Sequence, residues 1–390
     1  MSSSAAPPAA AFPAFPPFLP FELERDLSAF EYEVAYNLSE SGVHPLSVAE
    51  LYEGDPGAFD RLRDVSLYYA PGAGLPALRE AIASTYRTAD ASNVLVTVGA
   101  VEANFAGLTA VTRPGDEVVV MSPNYQQVYG AAVNYGLQVK TFPLDPARGF
   151  APDLAALREA VTERTRLIAV CHPNNPTGRA LTPEEMAAVI TEAERVGAWI
   201  LSDEVYRGSE RRGGDFTPSF FDAYDKVIAT GSTSKAYGLP GFRIGWAATD
   251  AGTVDQMWAR REYLTLCTAT IANHMAAYAM ASPVRDRVVE RTRTLIREGY
   301  AVLERWIGTQ GGRLALTPHD AAAITLLRFD VPHLDSRQFV TRLRERHDVL
   351  LAPGDHLGVP DHVRLSFGLP EDYLQAGLDR IAAFLDEETR

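Results

Sequence analysis

Lysine is scarce in this chain: only Lys140, Lys226 and Lys235 occur among 36 basic residues, and the other 33 are arginine. Coding bias accounts for the scarcity but not for the setting of Lys235. That lysine stands in GSTSKAYGLPGFRIGW at 231–246, a run of glycines and small hydroxyls that a surface lysine does not need. A lysine held in an enclosed polar pocket can lose its proton and act as a Schiff-base nucleophile. Arg243, eight residues on, presents a planar fork of donors suited to a phosphate dianion, and the Ser232 hydroxyl with nearby backbone amides adds more. Amine, hydroxyl and guanidinium together describe a site for a phosphorylated aldehyde.

Three further segments precede the lysine motif: YAPGAG at 69–74 followed by LREAI at 78–82, PNNPTG at 173–178, and SDEVY at 202–206. Each alone is a weak signal. In this order and spacing, the four resemble the fold-type I pyridoxal 5′-phosphate (PLP) enzymes, specifically the class I/II aminotransferase family, over nearly all of the chain after its first 20 or so residues. The resemblance implies an α/β fold, with a mainly parallel sheet in a large domain and a smaller α+β C-terminal domain. It implies PLP as cofactor and an α-amino acid as substrate. It also implies that the amino acid displaces Lys235 to form an external aldimine and then a Cα quinonoid.

Within that resemblance Lys235, Asp203 and Tyr206 are the catalytic candidates. Asp203, 28 residues beyond Asn175, would pair with the protonated pyridine nitrogen and keep the ring an electron sink. Tyr206 and Asn175 would hydrogen-bond the ring's phenolic oxygen and lower the pKa of the internal imine. The bland alternatives are a strand-end cap for Asp203 and a turn former before proline for Asn175. Gly99, Ala100 and Val101, where an expected strand gives way to a helix, can aim free amides at the phosphate, as Ser232 and Arg243 can. Tyr125 matches the family's ring-stacking aromatic, and otherwise lines the cleft or core. Tyr69 corresponds to the residue that reaches across a dimer interface to the neighbour's cofactor, which implies a homodimer.

Arg364, in HVRLSF at 362–367, matches the arginine that grips the substrate α-carboxylate and so selects the Cα bond to be broken. Backbone at Gly42, together with Asn175, would complete that grip. SESGVHP at 39–45 departs from the family's common Gly-x-Pro pattern and introduces His44, an imidazole able to move protons near neutral pH or simply to cap a turn. The SGVH string and REYLTL at 261–266 resemble segments of the family's capreomycidine synthases, which cyclise an arginine derivative. Two reactions are therefore open. One is transamination to a keto acid; the other is β/γ-elimination, replacement or cyclisation with the amino group retained. The difference would lie in the outer cleft, around 40–46, 124–129 and 260–268.

These residues need a scaffold, and the hydrophobic pattern supplies one. Short apolar runs at 93–98, 117–121, 166–171, 199–202 and 226–230 alternate with helical patterns at 102–111, 128–135 and 183–196, which predicts a parallel sheet wrapped by helices with its site at the strand C-termini. A charged helix over 284–306, strands near 323–329, 349–352 and 363–367, and a helix over 374–387 form a second lobe. The expected division is a Pro/Ala-rich irregular arm at 1–22, a cleft segment at 23–45, the PLP-binding domain at 46–280 and the small domain at 281–390.

The chain has 390 residues, 46% of them hydrophobic, and a formal charge of −14. That length allows two lobes with a cleft between them. The acidic excess opposes nucleic acid as a partner, and about 20 residues ahead of the ordered sequence are too few for the DNA-binding module that a PLP-binding regulator would need. No apolar run approaches the roughly 18 residues of a membrane span, and the start lacks the basic and apolar regions of a secretory signal. Two cysteines, Cys171 and Cys267, exclude a disulfide framework and a cysteine-based zinc site, which fits a reducing cytoplasm. No metal is expected.

Overall fold

The computed structural model describes residues 17–389. After β1 (Tyr36–Asn37) come the strands of the large sheet: β2 (Val94–Thr97), β3 (Glu117–Ser122), β4 (Gln138–Asp145), β5 (Ala151–Pro152), β6 (Thr165–Cys171), β7 (Trp199–Asp203), β8 (Val227–Ser232) and β9 (Gly245–Ala248). The second lobe holds β10 (Leu314–Leu316), β11 (Ile324–Phe329), β12 (Val349–Leu350), β13 (Ala352–Pro353) and β14 (His362–Ser366). The large sheet runs β2-β9-β8-β7-β6-β3-β4-β5.

Strands β3, β4, β6, β7 and β8 pair in parallel, as the alternation of apolar runs and helices requires. The near-continuous burial of β3, β6, β7 and β8 reflects helices on both faces, whereas β4 is largely exposed or half-buried. The sheet is nevertheless mixed. β9 lies antiparallel to both β2 and β8, and β5 antiparallel to β4. β9 was not expected as a strand, because GWAA is short, starts with glycine and sits inside the lysine motif. Gly245 is needed there: a Cβ at that position would overlap the Gly99–Ala100 peptide, so the strand lies directly on the start of helix Gly99–Val111.

Helix Pro183–Val196 starts and stops where its sequence says. Thr182 and Glu185 form a capping box, Pro183 takes the first position, and Gly197 closes the helix in the left-handed conformation. Helix Ser336–His347 was missed because only Phe339, Val340 and Leu343 among its large apolar residues turn inward along a strongly charged segment.

The second lobe carries the sheet β10-β11-β14-β13, antiparallel throughout, against helices Val284–Ile307, Ser336–His347 and Glu371–Glu388. Helix Val284–Ile307 serves two cores: Val288 and Val289 pack with the large sheet's apolar residues, while Ile296, Tyr300 and Leu303 pack with Phe367 and Phe384. β1 pairs in parallel with β12, and Leu38 and Val43 are buried in this second core. Burying a side chain of that size contributes about 1.5–3 kcal/mol, which anchors the loop between them. Residues 1–16 of the expected arm lie outside the described residues; 17–21 are irregular, and helix Glu22–Phe30 begins on the arm's expected last residue.

Among the described residues no helix is long and apolar enough to cross a membrane, and no cluster of three or more His, Cys, Asp or Glu residues could hold a metal ion. Both cysteines are unpaired.

Candidate active site

Strands β6, β7 and β8 end at Cys171, Asp203 and Ser232, and all three line one cavity of about 300 Å³. Ligands of open α/β sheets bind outside the carboxyl ends of parallel strands. The same cavity is lined by Ala100, Val101, Tyr125, Asn175, Tyr206, Lys235 and Arg243. A larger cavity of about 800 Å³ lies between residues 18–23 and helix Gln127–Asn134; it holds none of the expected catalytic or cofactor residues, but Asn124, Gln126, Gln127 and Tyr129 of the expected outer cleft line it.

At one end of the smaller cavity the chain builds a cradle for an anion. Helix Gly99–Val111 points its first amides there, with Gly99 at φ +71°. Arg243 adopts a left-handed backbone, and its guanidinium crowds Gly99 so closely that a Cβ on that glycine would lie 2.5 Å from Nη2. Among the described residues the guanidinium has one hydrogen-bond partner, the Pro240 carbonyl, at 3.1 Å from Nη1. Open helix amides, a guanidinium with donors to spare and the small Ser232 suit a phosphate dianion.

At the other end stands Asp203. Its Oδ2 accepts from Asn104 Nδ2 at 2.9 Å and its Oδ1 from the Val205 N–H at 3.2 Å. Burial pushes its carboxyl up, against the Asn104 and Val205 donors and the Lys235 charge. Between the two ends, Lys235 Nζ donates to Ser41 Oγ at 2.7 Å and pairs with Glu40 Oε1 at 3.2 Å. The Lys235 ammonium, with help from the Ser41 N–H, holds the Glu40 carboxyl down at about 2.

Residues expected to grip a carboxylate meet in a hydrogen-bonded set. Arg364 is 1% exposed; its Nη1 donates to Asn175 Oδ1 at 3.2 Å and its Nη2 to the Ser39 carbonyl at 2.7 Å. Its Nε is buried without a partner, a group that an incoming oxygen acceptor would satisfy. Gly42 faces the lysine, since a Cβ there would lie 3.7 Å from Lys235 Cδ. The Tyr206 hydroxyl donates to the Ser41 carbonyl at 3.0 Å, and burial raises its pKa. Tyr125 packs on Phe21 and donates its hydroxyl to Glu24 Oε1 at 2.7 Å. Burial and that carboxylate push the phenol up.

Gly42, Gly99 and Arg364 reach the cavity only through neighbours that line it, and two expected residues stand apart. Tyr69 is 72% exposed beside Tyr68 and does not line this cavity. His44 is exposed outside the cavity; its backbone bonds Gly368 and Arg291. Of the outer segments, 260–268 does not line the cavity either. Arg261 there is buried, pairs with Glu102 at 3.4 Å and donates to the Gly72 carbonyl. Glu102 in turn accepts from the Val98 N–H and the Thr265 hydroxyl, both at 2.6 Å. The arginine was read as cleft-facing and is instead held inward by its carboxylate partner.

The sequence reading missed Glu24, Leu27, Ser28 and Glu31, which line the cavity from helix Glu22–Phe30 and its C-cap. Their spacing of three, four and seven residues marks one helical face and was a readable signal. Burial, then Glu40 and Glu24, push the Glu31 carboxyl up. Asn104 was missed as well, a polar residue on the mostly apolar helix Gly99–Val111 that also carries Glu102 and Thr109.

A mainly parallel sheet whose strand ends bring a lysine, an aspartate and an anion cradle into one cavity defines a fold-type I PLP-dependent enzyme, and the cradle and the buried carboxylate fit the two ends of that cofactor. The chain belongs to the aminotransferase class I and II family, whose model matches residues 63–381. It is 31% identical to the capreomycidine synthase of Streptomyces vinaceus, over 92% of each chain. It is also 31% identical to the aspartate/prephenate aminotransferase of Thermus thermophilus, over 81% of this chain and 83% of that one. A PLP-dependent aminotransferase from Streptococcus suis superposes with a TM-score of 0.89 at 30% identity, covering 94% of this chain and 97% of that one. The PLP-dependent cyclase OrfR superposes with a TM-score of 0.85 at 27% identity, covering 97% and 100%.

Proposed function

We propose that the enzyme transaminates an α-amino acid to a keto acid, with Lys235 as the reacting amine. The observation that carries this reading is that Lys235, Asp203, Asn175 and Arg243 line a single cavity at the strand ends. When bound, PLP supplies an aldehyde carbon for an amine and a ring that draws electrons from the neighbouring carbon.

In this reading Arg243, Ser232 and the amides of Gly99, Ala100 and Val101 hold the phosphate, Tyr125 lies against the ring, and Asp203 holds a proton-bearing ring nitrogen. Asn175 has its Oδ1 committed to Arg364, so its Nδ2 is the end left to donate to the ring oxygen beside Tyr206. Arg364 and the Gly42 backbone orient the substrate carboxylate, which sets one Cα bond across the ring plane. The Lys235 amine would take the Cα proton and return it to the carbon on the other side of the amino nitrogen, a 1,3-shift.

A second reading, elimination or cyclisation with the amino group retained, is favoured by Glu40. This carboxylate touches the reacting amine and so places a second proton acceptor where the substrate side chain enters. The relative from Streptomyces vinaceus, matched over 92% of each chain, supports the same reading. A homodimer with Tyr69 reaching the neighbour's site is supported by the exposed Leu67, Tyr68 and Tyr69, and by Tyr263 and Leu266. Two unpaired cysteines fit a reducing cytoplasm.

Incubation with a panel of amino acids, followed by absorbance and mass spectrometry, tests the choice. Pyridoxamine phosphate with a keto acid is the expected result. Loss of water, ammonia or another side-chain fragment with the amino group retained would overturn transamination and establish the second reading.

A further inference from the structure

Behind Asp203 lies a polar chain that the reaction does not obviously use. Asn104, 2% exposed, projects from helix Gly99–Val111 into the interior, where it meets three polar side chains. Its Nδ2 donates both to Asp203 Oδ2 at 2.9 Å and to Gln127 Oε1 at 3.0 Å, while its Oδ1 accepts from the Thr230 hydroxyl at 2.7 Å. Gln127 Nε2 continues the chain to the Val101 carbonyl at 3.2 Å. Thr230 is fully buried on β8, two residues before Ser232.

These bonds leave Asn104 no freedom. A charged Asp203 can only accept, so the Thr230 hydroxyl donates to the oxygen of the amide while the amide NH₂ faces the carboxylate. Both of its hydrogens are then spent, and reversing the amide would set an oxygen against Asp203. A buried network with every member satisfied fixes one geometry and strengthens each bond in it.

We propose that Asn104, locked by Thr230, is the positioning residue that keeps Asp203 charged and aimed at the ring nitrogen. Through Gln127 it ties that end of the site to the Gly99–Val101 end. The inference rests on the reading of Asp203 as the ring-nitrogen partner. A carboxylate that loses its donor becomes more basic, so the proton between it and the ring nitrogen moves toward oxygen. A ring without that proton draws electrons less well from Cα. The side chain would therefore act on the rate of the Cα step with little effect on substrate binding.

The test compares holoenzymes of the wild type, Asn104→Leu, Thr230→Val, Thr230→Ser and Asp203→Asn. It measures steady-state kinetics, cofactor retention on dialysis and the nitrogen NMR signal of isotopically labelled cofactor. Asn104→Leu should lower kcat about 10- to 100-fold, the size of a lost hydrogen bond to a buried charge. KM should stay within about twofold, because the α-carboxylate grip is untouched. The ring-nitrogen signal should move toward that of neutral pyridine. Thr230→Val should show the same signature more weakly, and Thr230→Ser should restore both kcat and signal. If Asn104→Leu fails to fold, the Thr230 pair carries the test alone. Wild-type kcat and nitrogen signal in folded, loaded Asn104→Leu or Thr230→Val would overturn the proposal while Asp203→Asn remains impaired. If Asp203→Asn is also unimpaired, the assignment of Asp203 itself fails, and the proposal with it.

Discussion

The two walls of the cavity are built on different terms. The inner wall consists of strand ends and one helix start, and its chemical groups are held by bonds that leave few alternatives: Asp203 by Asn104 and Val205, Arg364 by Asn175 and Ser39, Gly245 by direct contact with the Gly99 peptide. The outer wall is helix Glu22–Phe30 and the loop around Glu40 and Ser41, where carboxylates gather and Glu40 keeps half of its side chain in water. Chemistry common to many substrates belongs on the first wall. Selection among substrates belongs on the second, where a side chain can change without disturbing a strand.

The largest effect that would break this contrast is on the inner wall. Lys235→Ala should abolish the cofactor-linked absorbance of the lysine and all exchange of the substrate Cα proton, followed with deuterated substrate; retained exchange would remove the lysine from its role. Arg243→Ala should come next, with cofactor affinity falling about 10- to 100-fold as charged hydrogen bonds to the phosphate disappear. Equilibrium dialysis reads that directly, and unchanged retention would place the phosphate elsewhere.

A smaller change is expected on the outer wall. Glu40→Gln removes the carboxylate that touches Lys235, and KM for the amino-acid substrate should change about two- to fivefold while cofactor retention on dialysis stays at the wild-type level. An unchanged KM would show that Glu40 turns away once the cofactor is in place.

The smallest effect concerns acid stability of the cofactor-free protein. The Glu40 carboxyl sits at about 2 instead of 4.5, so its pairing contributes fully above about pH 4.5 and is lost as the pH falls through about 2. Its half-exposed side chain keeps the contribution modest. Glu40→Gln should flatten that part of the unfolding-temperature profile, and an unchanged profile would mean the pair is not maintained in solution.

The inner wall was legible in the sequence because its residues sit at fixed offsets within short motifs and at the ends of runs whose burial dictates strands. Asp203 closes β7, Ser232 closes β8 and Gly99 opens a helix, each where the apolar pattern changes period. The reversed strand β9 escaped because direction is not encoded in four residues; it follows from how Gly245 fits against Gly99. Asn104 escaped because its meaning depends on Asp203 and Thr230, 99 and 126 residues away. His44 drew attention by residue type alone, and its exposure removes it from the cavity. Glu24 and Glu31 carry a helical spacing, but nothing local says which side of that helix meets the cavity.

The contact between Gly245 and the Gly99–Ala100 peptide has a consequence for how this scaffold can diversify. With no clearance for even a methyl group, the seat beneath the cofactor tolerates almost no substitution, so its shape passes intact from one descendant to the next. Novelty must then accumulate in helix Glu22–Phe30 and the loop around Glu40, whose side chains face a floor that cannot drift.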